Sequence, residues 1–177
     1  LVAMVFGMPR ALFPILAVVQ FDAGNEVAGL LLSAPAAGAI LGAATSGWVK
    51  RVERQGLAVV VSVVVWGLGI AGFGLVGDRL WLALIMLAIA GWADVISAVF
   101  RSTIFQLLLP DSLRGRMSAV NILVVAGGPR LGDAEAGLVA AAFGPTFSVV
   151  SGGLACVVGA LAFAAMVPSF LRHTPET

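Results

Sequence analysis

Few side chains in this chain have chemistry to offer, and they sit in unusual surroundings. Within the apolar run LALIMLAIAGWADVISAVFRSTIF stand Asp94, Ser97 and Arg101, spaced i, i+3 and i+7, which places them on one stripe of a helix. A carboxylate and a guanidinium on one such stripe can form an ion pair, exchange a proton or hold an anion. A second group lies in VVAGGPRLGDAEAG, where Arg130 precedes Asp133 by three residues and Glu135 follows. Two readings stand for it: an intrahelical Arg130–Asp133 pair that is purely structural, or an Arg130 that presents positive charge to an anionic group while a nearby acid exchanges protons. Arg10 is set between Pro9 and Pro14 in FGMPRALFP. Asn121 is cheaper to bury and more often bonds a neighbouring helix than a ligand. For Asp94 a buried anchoring role, and for Arg101 a snorkelling one, are the plain structural alternatives.

Catalytic chemistry is harder to assemble. The single histidine, His173, lies in the tail, so Ser151 has no general base, and one histidine with one cysteine, Cys156, makes no zinc site. No glycine loop precedes a lysine to cradle a nucleotide phosphate, and paired NPA turns are missing. The expectation is a protein that is not an enzyme and has no cofactor. The net charge of +1 gives no reason to expect nucleic acid as a partner.

The elements that position these residues follow from composition. Of 177 residues 60% are apolar and 11% charged, with a mean hydropathy of +1.09; soluble domains carry about 25% charged residues. The lipid bilayer is therefore the expected partner, and at roughly 20 residues per span the length suits about six spans. Polar punctuation divides the chain into helices over about 1–21, 27–48, 57–76, 80–109, 117–143 and 146–171. The expected fold class is all-α and polytopic. Gly127, Gly128 and Pro129 predict a break inside the fifth span, and Pro9 and Pro14 predict kinks in the first. Gly38, Gly42 and Ser46 form small-xxx-small steps that suit close helix packing.

Basic residues set an orientation. Lys50, Arg51 and Arg54 follow the second span, Arg114 and Arg116 the fourth, and Arg172 the sixth, whereas Arg79 shares the other side with Asp22, Glu26 and Asp78. The positive-inside rule then puts the first set and the C-terminus in the cytoplasm. Helix four enters from outside at Leu80, so Asp94 lies about 20 Å deep and Arg101 about 30 Å, near the cytoplasmic face. Trp48 and Trp81 sit at span ends, while Trp66 and Trp92 lie deeper and pack between helices. Leu1 is not an initiator methionine, and LVAMVFGM reads as a helix cut open, so a longer chain is expected.

Three strings carry a resemblance: FGMPRALFP, LLLSAPAAGAILGAATSGWV and QLLLPDSLRGRMSAVN. Together with the tail LRHTPE they resemble the C-terminal half of major facilitator superfamily transporters, with most similarity to the enterobactin (siderophore) exporter branch. The likeness runs over all six helices. It departs in GWVKRVERQG, where Arg51 stands in place of the acid of the family's cytoplasmic loop and Glu53 follows two places later. The resemblance implies helices seven to twelve of a twelve-helix transporter of the bacterial inner membrane, built from inverted three-helix repeats around a midplane site. It further implies proton-coupled export of siderophore-like or drug-like small molecules, with the N-terminal half or a second chain as partner. The substrate or proton pathway would involve Asp94, Ser97, Arg101, Arg130, Asp133, Arg10 and Asn121. Gating would involve Lys50, Arg51, Glu53, Arg54, Arg114 and Arg116, residues that topology alone also accounts for. A truncated, non-transporting membrane fragment is the alternative.

Overall fold

A computed structural model describes residues 10–21, 25–52, 54–108 and 111–167; the side chains of 50–51, 105–108, 111–114, 116–117 and 121 lie outside that description. The described chain is all-α. A 3-10 turn, Arg10–Leu12, leads into α1, Phe13–Val19; α2 is Asn25–Thr45 and continues as a 3-10 turn over Ser46–Arg51. Then come α3, Gln55–Leu75, α4, Leu80–Leu108, α5, Asp111–Phe143, and α6, Pro145–Met166.

Among the described residues four stretches are long and apolar enough to cross a membrane: Asn25–Val49, Gln55–Leu75, Leu80–Ile104 and Pro145–Met166. Their mean hydropathies run from 1.8 to 2.2. They match the second, third, fourth and sixth expected spans within a few residues, because polar runs mark their ends. Helix α5 is longer than any of them but carries Arg130, Asp133 and Glu135 along its length, so it does not qualify by apolarity. The apolar helix over Arg10–Val19 is too short to span by itself.

Three expectations are corrected. Helix α5 begins at Asp111, so most of the PDSLRGR run expected as a loop belongs to its first turns, where a helix projecting beyond lipid accepts charged residues. The break expected inside the fifth span is absent: the helix runs unbroken through Gly127, Gly128 and Pro129. A proline removes one hydrogen bond from the ladder, and the turns on either side hold without it. Pro14 does not kink the first helix but opens it, sitting in the first turn of α1, where a missing N–H costs nothing.

The helices pack in sequence around the bundle. Helix α2 lies between α1 and α4, α4 between α2 and α3, α3 between α4 and α6, and α6 between α3 and α5; α5 touches the Arg10–Leu12 turn. Small residues allow the closest of these approaches. A Cβ on Gly38 would collide with the Ala88 carbonyl, one on Gly91 with the Pro35 carbonyl, and one on Gly42 would lie 3.0 Å from the Trp92 oxygen. This bears out the packing reading of Gly38 and Gly42. Trp92 is held in the same seam, its Nε1 donating to Thr45 Oγ1 at 3.0 Å. Trp66 is buried, whereas Trp48 and Trp81 are exposed. Helix α1 closes onto α3 through an edge-to-face contact of Phe13 with Phe73, 5.6 Å between centroids. A separate cluster of Val49, Val59, Ile96, Phe100 and Ile104 ties the 3-10 turn after α2 to α3 and α4.

The bundle contains two related triplets, α1–α3 and α4–α6. At the crossing of α3 and α6 each helix takes the other's glycine: a Cβ on Gly67 would lie 2.8 Å from the Gly153 oxygen, and one on Gly153 2.7 Å from the Gly67 oxygen. Around that crossing Ser62 matches Ser148, Ile70 matches Cys156 and Gly74 matches Ala160, and all six are buried. On α2 and α5, Pro35, Gly38 and Gly42 recur as Pro129, Gly132 and Ala136, and both small pairs are buried. On α1 and α4, buried Leu12, Phe13 and Leu16 match buried Ile96, Ser97 and Phe100, and exposed Arg10 matches exposed Asp94.

Candidate functional site

The polar stripe of α4 forms as its spacing requires. Asp94 Oδ1 and an Arg101 terminal nitrogen are 3.8 Å apart. Two turns separate the residues, about 10 Å along the axis, and the pair closes because a helical side chain leans toward the N-terminus, which sends the Arg101 arm back toward Asp94. The Arg101 Nε donates to the Ser97 carbonyl at 3.3 Å, bracing the arm along the helix. Both charged side chains remain accessible, Arg101 at 40% and Asp94 at 60%. Ser97 lies beside them but turns inward: it is 2% exposed and its Oγ has no hydrogen-bond partner among the described residues. The arrangement is a loosely closed ion pair on a firmly packed helix. It can open to a competing cation, anion or proton without disturbing the core.

Helix α5 does not form the expected pair. No ion pair joins Arg130 and Asp133, although both side chains are described. Gly128, Gly132 and Ala136 form the buried seam of α5; Arg130 stands on the side opposite it and is exposed, while Asp133 lies on its flank. The Asp133 Oδ1 is buried with no hydrogen-bond partner among the described residues. The i, i+3 spacing brings the two backbones close, but the side chains take different directions. Glu135 is half-buried.

Arg10, the first residue of the turn before α1, is exposed and enters no ion pair among the described residues. It occupies the place in the first triplet that Asp94 occupies in the second, so the two triplets carry opposite charges at matching positions. Sequence reasoning had named both residues without their relation, because the matching of buried positions shows only once the helices are packed. The Asn121 side chain lies outside the described residues. So do those of Lys50 and Arg51, on the turn after α2, and of Arg114 and Arg116, in the first turns of α5. Glu53 lies outside them altogether, and Arg54 is exposed at the start of α3. Among the described residues no cluster of potential ligands is suited to a metal ion.

Buried polar groups that the sequence reading passed over include Gln55 and Gln20. Gln20 Nε2 donates to the Gly77 carbonyl at 3.0 Å, fastening the end of α1 to the turn between α3 and α4. The Gln55 Oε1 is buried without a partner. Their positions just outside apolar runs gave no signal of burial.

A family model described as "Transmembrane secretion effector", a branch of the major facilitator superfamily, matches residues 3–173. The chain belongs to the major facilitator superfamily. Its relatives in the family include the enterobactin exporter EntS of Citrobacter koseri, 33% identical over 150 residues, which cover 84% of this chain and 35% of that protein. The enterobactin exporter EntS of Escherichia coli is 30% identical over 170 residues, 95% of this chain and 40% of that protein. The match to the Salmonella typhi exporter is 32% over 150 residues, 84% of the chain and 36% of the relative. The chain thus spans well under half the length of these relatives. No solved structure matches the chain. Family membership agrees with an all-α, multi-pass membrane protein, as the apolar helices require.

Proposed function

We propose that the chain supplies one six-helix half of a secondary transporter that exports siderophore-like or drug-like small molecules across the bacterial inner membrane in exchange for protons. The remaining half comes from sequence N-terminal to this chain or from a second chain. Large apolar side chains exposed on α2, α5 and α6, such as Ile40, Leu123, Leu138 and Met166, are consistent with surfaces that meet lipid or that other half. The basic residues Lys50, Arg51, Arg54, Arg114 and Arg116 then lie in the cytoplasm with the C-terminus and, with Glu53, form the inner gating loops.

The observation that carries the proposal is the accessible Asp94–Arg101 pair on a membrane-spanning helix. An ionisable residue inside a span is costly and marks an ion, proton or substrate path. In this reading Asp94 carries the coupling proton. Protonation releases Arg101, and Arg101 with Arg130 and Arg10 attracts anionic groups of the substrate. Asp133, with an unpartnered buried oxygen, is the second acid of the path, and Ser97 and Asn121 are polar positions along it.

The test is efflux from substrate-loaded, right-side-out membrane vesicles containing the full-length transporter. Asp94→Asn keeps size and polarity but cannot exchange a proton. With normal expression it is expected to abolish transport driven by a pH gradient. Undiminished pH-driven efflux in that variant removes Asp94 from the coupling role.

A further inference from the structure

Two charges of opposite sign lie at one level of the bundle, on elements that touch. The ends of α1, α3 and α5 share a side: Gln20, capping the end of α1, bonds the Gly77 carbonyl just past α3, and Gly74 of α3 faces Val149 and Val150 at the start of α6, which follows α5 directly. Arg10 stands ten residues before Gln20, and Asp133 ten before Phe143 at the end of α5, so each lies about 15 Å in from that side. The Arg10–Leu12 turn touches α5. Asp133, Ala136 and Ala140, at i, i+3 and i+7, follow one stripe of α5, and Ala136 and Ala140 pack in the core cluster that contains Leu12 and Phe13. Arg10 and Asp133 therefore form the next layer of that seam, deeper in the span. Yet Arg10 is exposed, Asp133 Oδ1 is buried with no hydrogen-bond partner, and neither residue enters an ion pair among the described residues.

A carboxylate and a guanidinium inside a span are each costly alone, and opposite charges at one depth relieve that cost by meeting. We propose that Arg10 and Asp133 are the two halves of a charge clamp between α1 and α5, closed by a change of rotamer at Arg10 and opened by a carboxylate ligand. Arg130 is the competing base, three residues before Asp133 on the same helix. Its arm leans toward the helix N-terminus, away from Asp133, the reverse of the order that lets Arg101 reach back to Asp94, and it does not take the acid. Arg101 is itself engaged by Asp94. A guanidinium presents its donors as a planar fork that matches a carboxylate. The ligand that displaces Asp133 from Arg10 therefore carries a carboxylate or another planar oxyanion, and the open arrangement leaves Arg10 exposed to receive it. Closure adds a link between α1 and α5, so the ligand that opens the clamp also loosens α5. The clamp rests on the reading of Arg10 as a base that attracts anionic groups of a transported substrate, and it adds the internal acid with which that substrate competes.

The experiment uses the full-length protein in a Cys156→Ala background, with spin labels at Val18→Cys on α1 and Leu138→Cys on α5, both exposed. Pulsed electron paramagnetic resonance then gives the ratio of near to far separations of the two helices. Arg10→Gln and Asp133→Asn are each expected to lower that ratio about ten-fold, the effect of one hydrogen bond between charged groups, and the protein with both changes is expected to fall no lower than either. Exchanging the charges, with Arg10→Asp and Asp133→Arg together, is expected to restore the parental ratio. Saturating benzoate is expected to bring the parent down to the ratio of Arg10→Gln and to leave Arg10→Gln itself unmoved, whereas neutral benzamide leaves both unmoved. Additive losses in the double variant, a fall with Arg130→Gln as large as that with Arg10→Gln, or a parental ratio that ignores benzoate overturns the clamp. Efflux measured in parallel separates the two readings: a coupled, benzoate-sensitive ratio without transport supports the clamp and refutes the transport reading, and transport with an uncoupled ratio refutes the clamp alone.

Discussion

Replacing Gly153 by alanine adds one methyl group at the point where α3 and α6 cross. The new Cβ would stand 2.7 Å from the Gly67 oxygen, 2.7 Å from the Ala71 nitrogen and 3.1 Å from the Ala71 Cα, all of them backbone atoms that cannot swing aside. Ordinary contact begins near 3.4 Å, so α3 and α6 must separate by about 0.7 Å. That separation loosens contacts of Ile70, Phe73, Val149 and Cys156, all fully buried around the crossing. Overpacking of this kind costs about 1 to 3 kcal/mol, against which alanine recovers up to about 1 kcal/mol of helix propensity. Relative to an alanine that gains only the propensity term, the expected loss is about 1 to 3 kcal/mol. Gly29 is the control, since its added Cβ meets nothing within 4 Å and only the propensity gain remains. Equilibrium unfolding of the purified full-length protein in detergent micelles reads both variants. Gly67→Ala should resemble Gly153→Ala, and the double variant should cost less than the sum, because one separation makes room for both methyls. A Gly153→Ala protein as stable as the Gly29→Ala control would falsify the account of the crossing.

Two further outcomes test other parts of the structure. Trp92→Phe and Thr45→Val each remove the Nε1 to Oγ1 bond between α4 and α2. Each should lower stability by about 1 kcal/mol or more, and the double variant should show coupling between the sites; strictly additive losses would mean that the bond contributes nothing. Orientation is read by thiol labelling in intact cells, again in the Cys156→Ala background. Arg54→Cys is expected to resist a membrane-impermeant maleimide added outside, while Asp78→Cys, exposed in the turn between α3 and α4, is expected to react. The reverse pattern would invert the assigned topology.

What the sequence disclosed, and what it hid, follows from the range of the forces involved. Span ends at Gln55, Leu80 and Pro145 were legible because charged or turn-forming residues adjoin them, and transfer from lipid to water is decided residue by residue. The stripe of Asp94 and Arg101 was legible because helical periodicity fixes it locally. The start of α5 was misread since a helix extending past the bilayer carries charges as a loop does. Pro129 was misread because a local signal for a break is outweighed by the ladder around it. The Arg130–Asp133 pairing failed at the level of side-chain direction, which depends on which face of α5 meets its neighbours. Reciprocity between Gly67 and Gly153 was hidden for a related reason: glycine content announces close packing without naming the partner helix.

These same facts assign different mechanical characters to the two charged helices. Helix α4 is gripped on two sides, by Gly38 and Gly42 of α2 and by Gly69 of α3, whose added Cβ would meet the Met86 oxygen at 3.0 Å. Its Asp94–Arg101 pair is therefore carried on a fixed wall. Helix α5 is attached more lightly, through Ser148 to Ala136 and the Arg10–Leu12 turn, and added Cβ atoms on its Gly127 and Gly137 meet nothing within 4 Å. An element with few buried contacts moves at lower cost than one with many. Any displacement of α5 carries Arg130 and Asp133 with it while Asp94 stays with α4. Such relative motion would change the field at Asp94 without breaking the glycine seams, and it gives the placement of the charges a mechanical reason: the Asp94–Arg101 pair sits on the helix that stays, and Arg130, Asp133 and Glu135 sit on the more lightly held one.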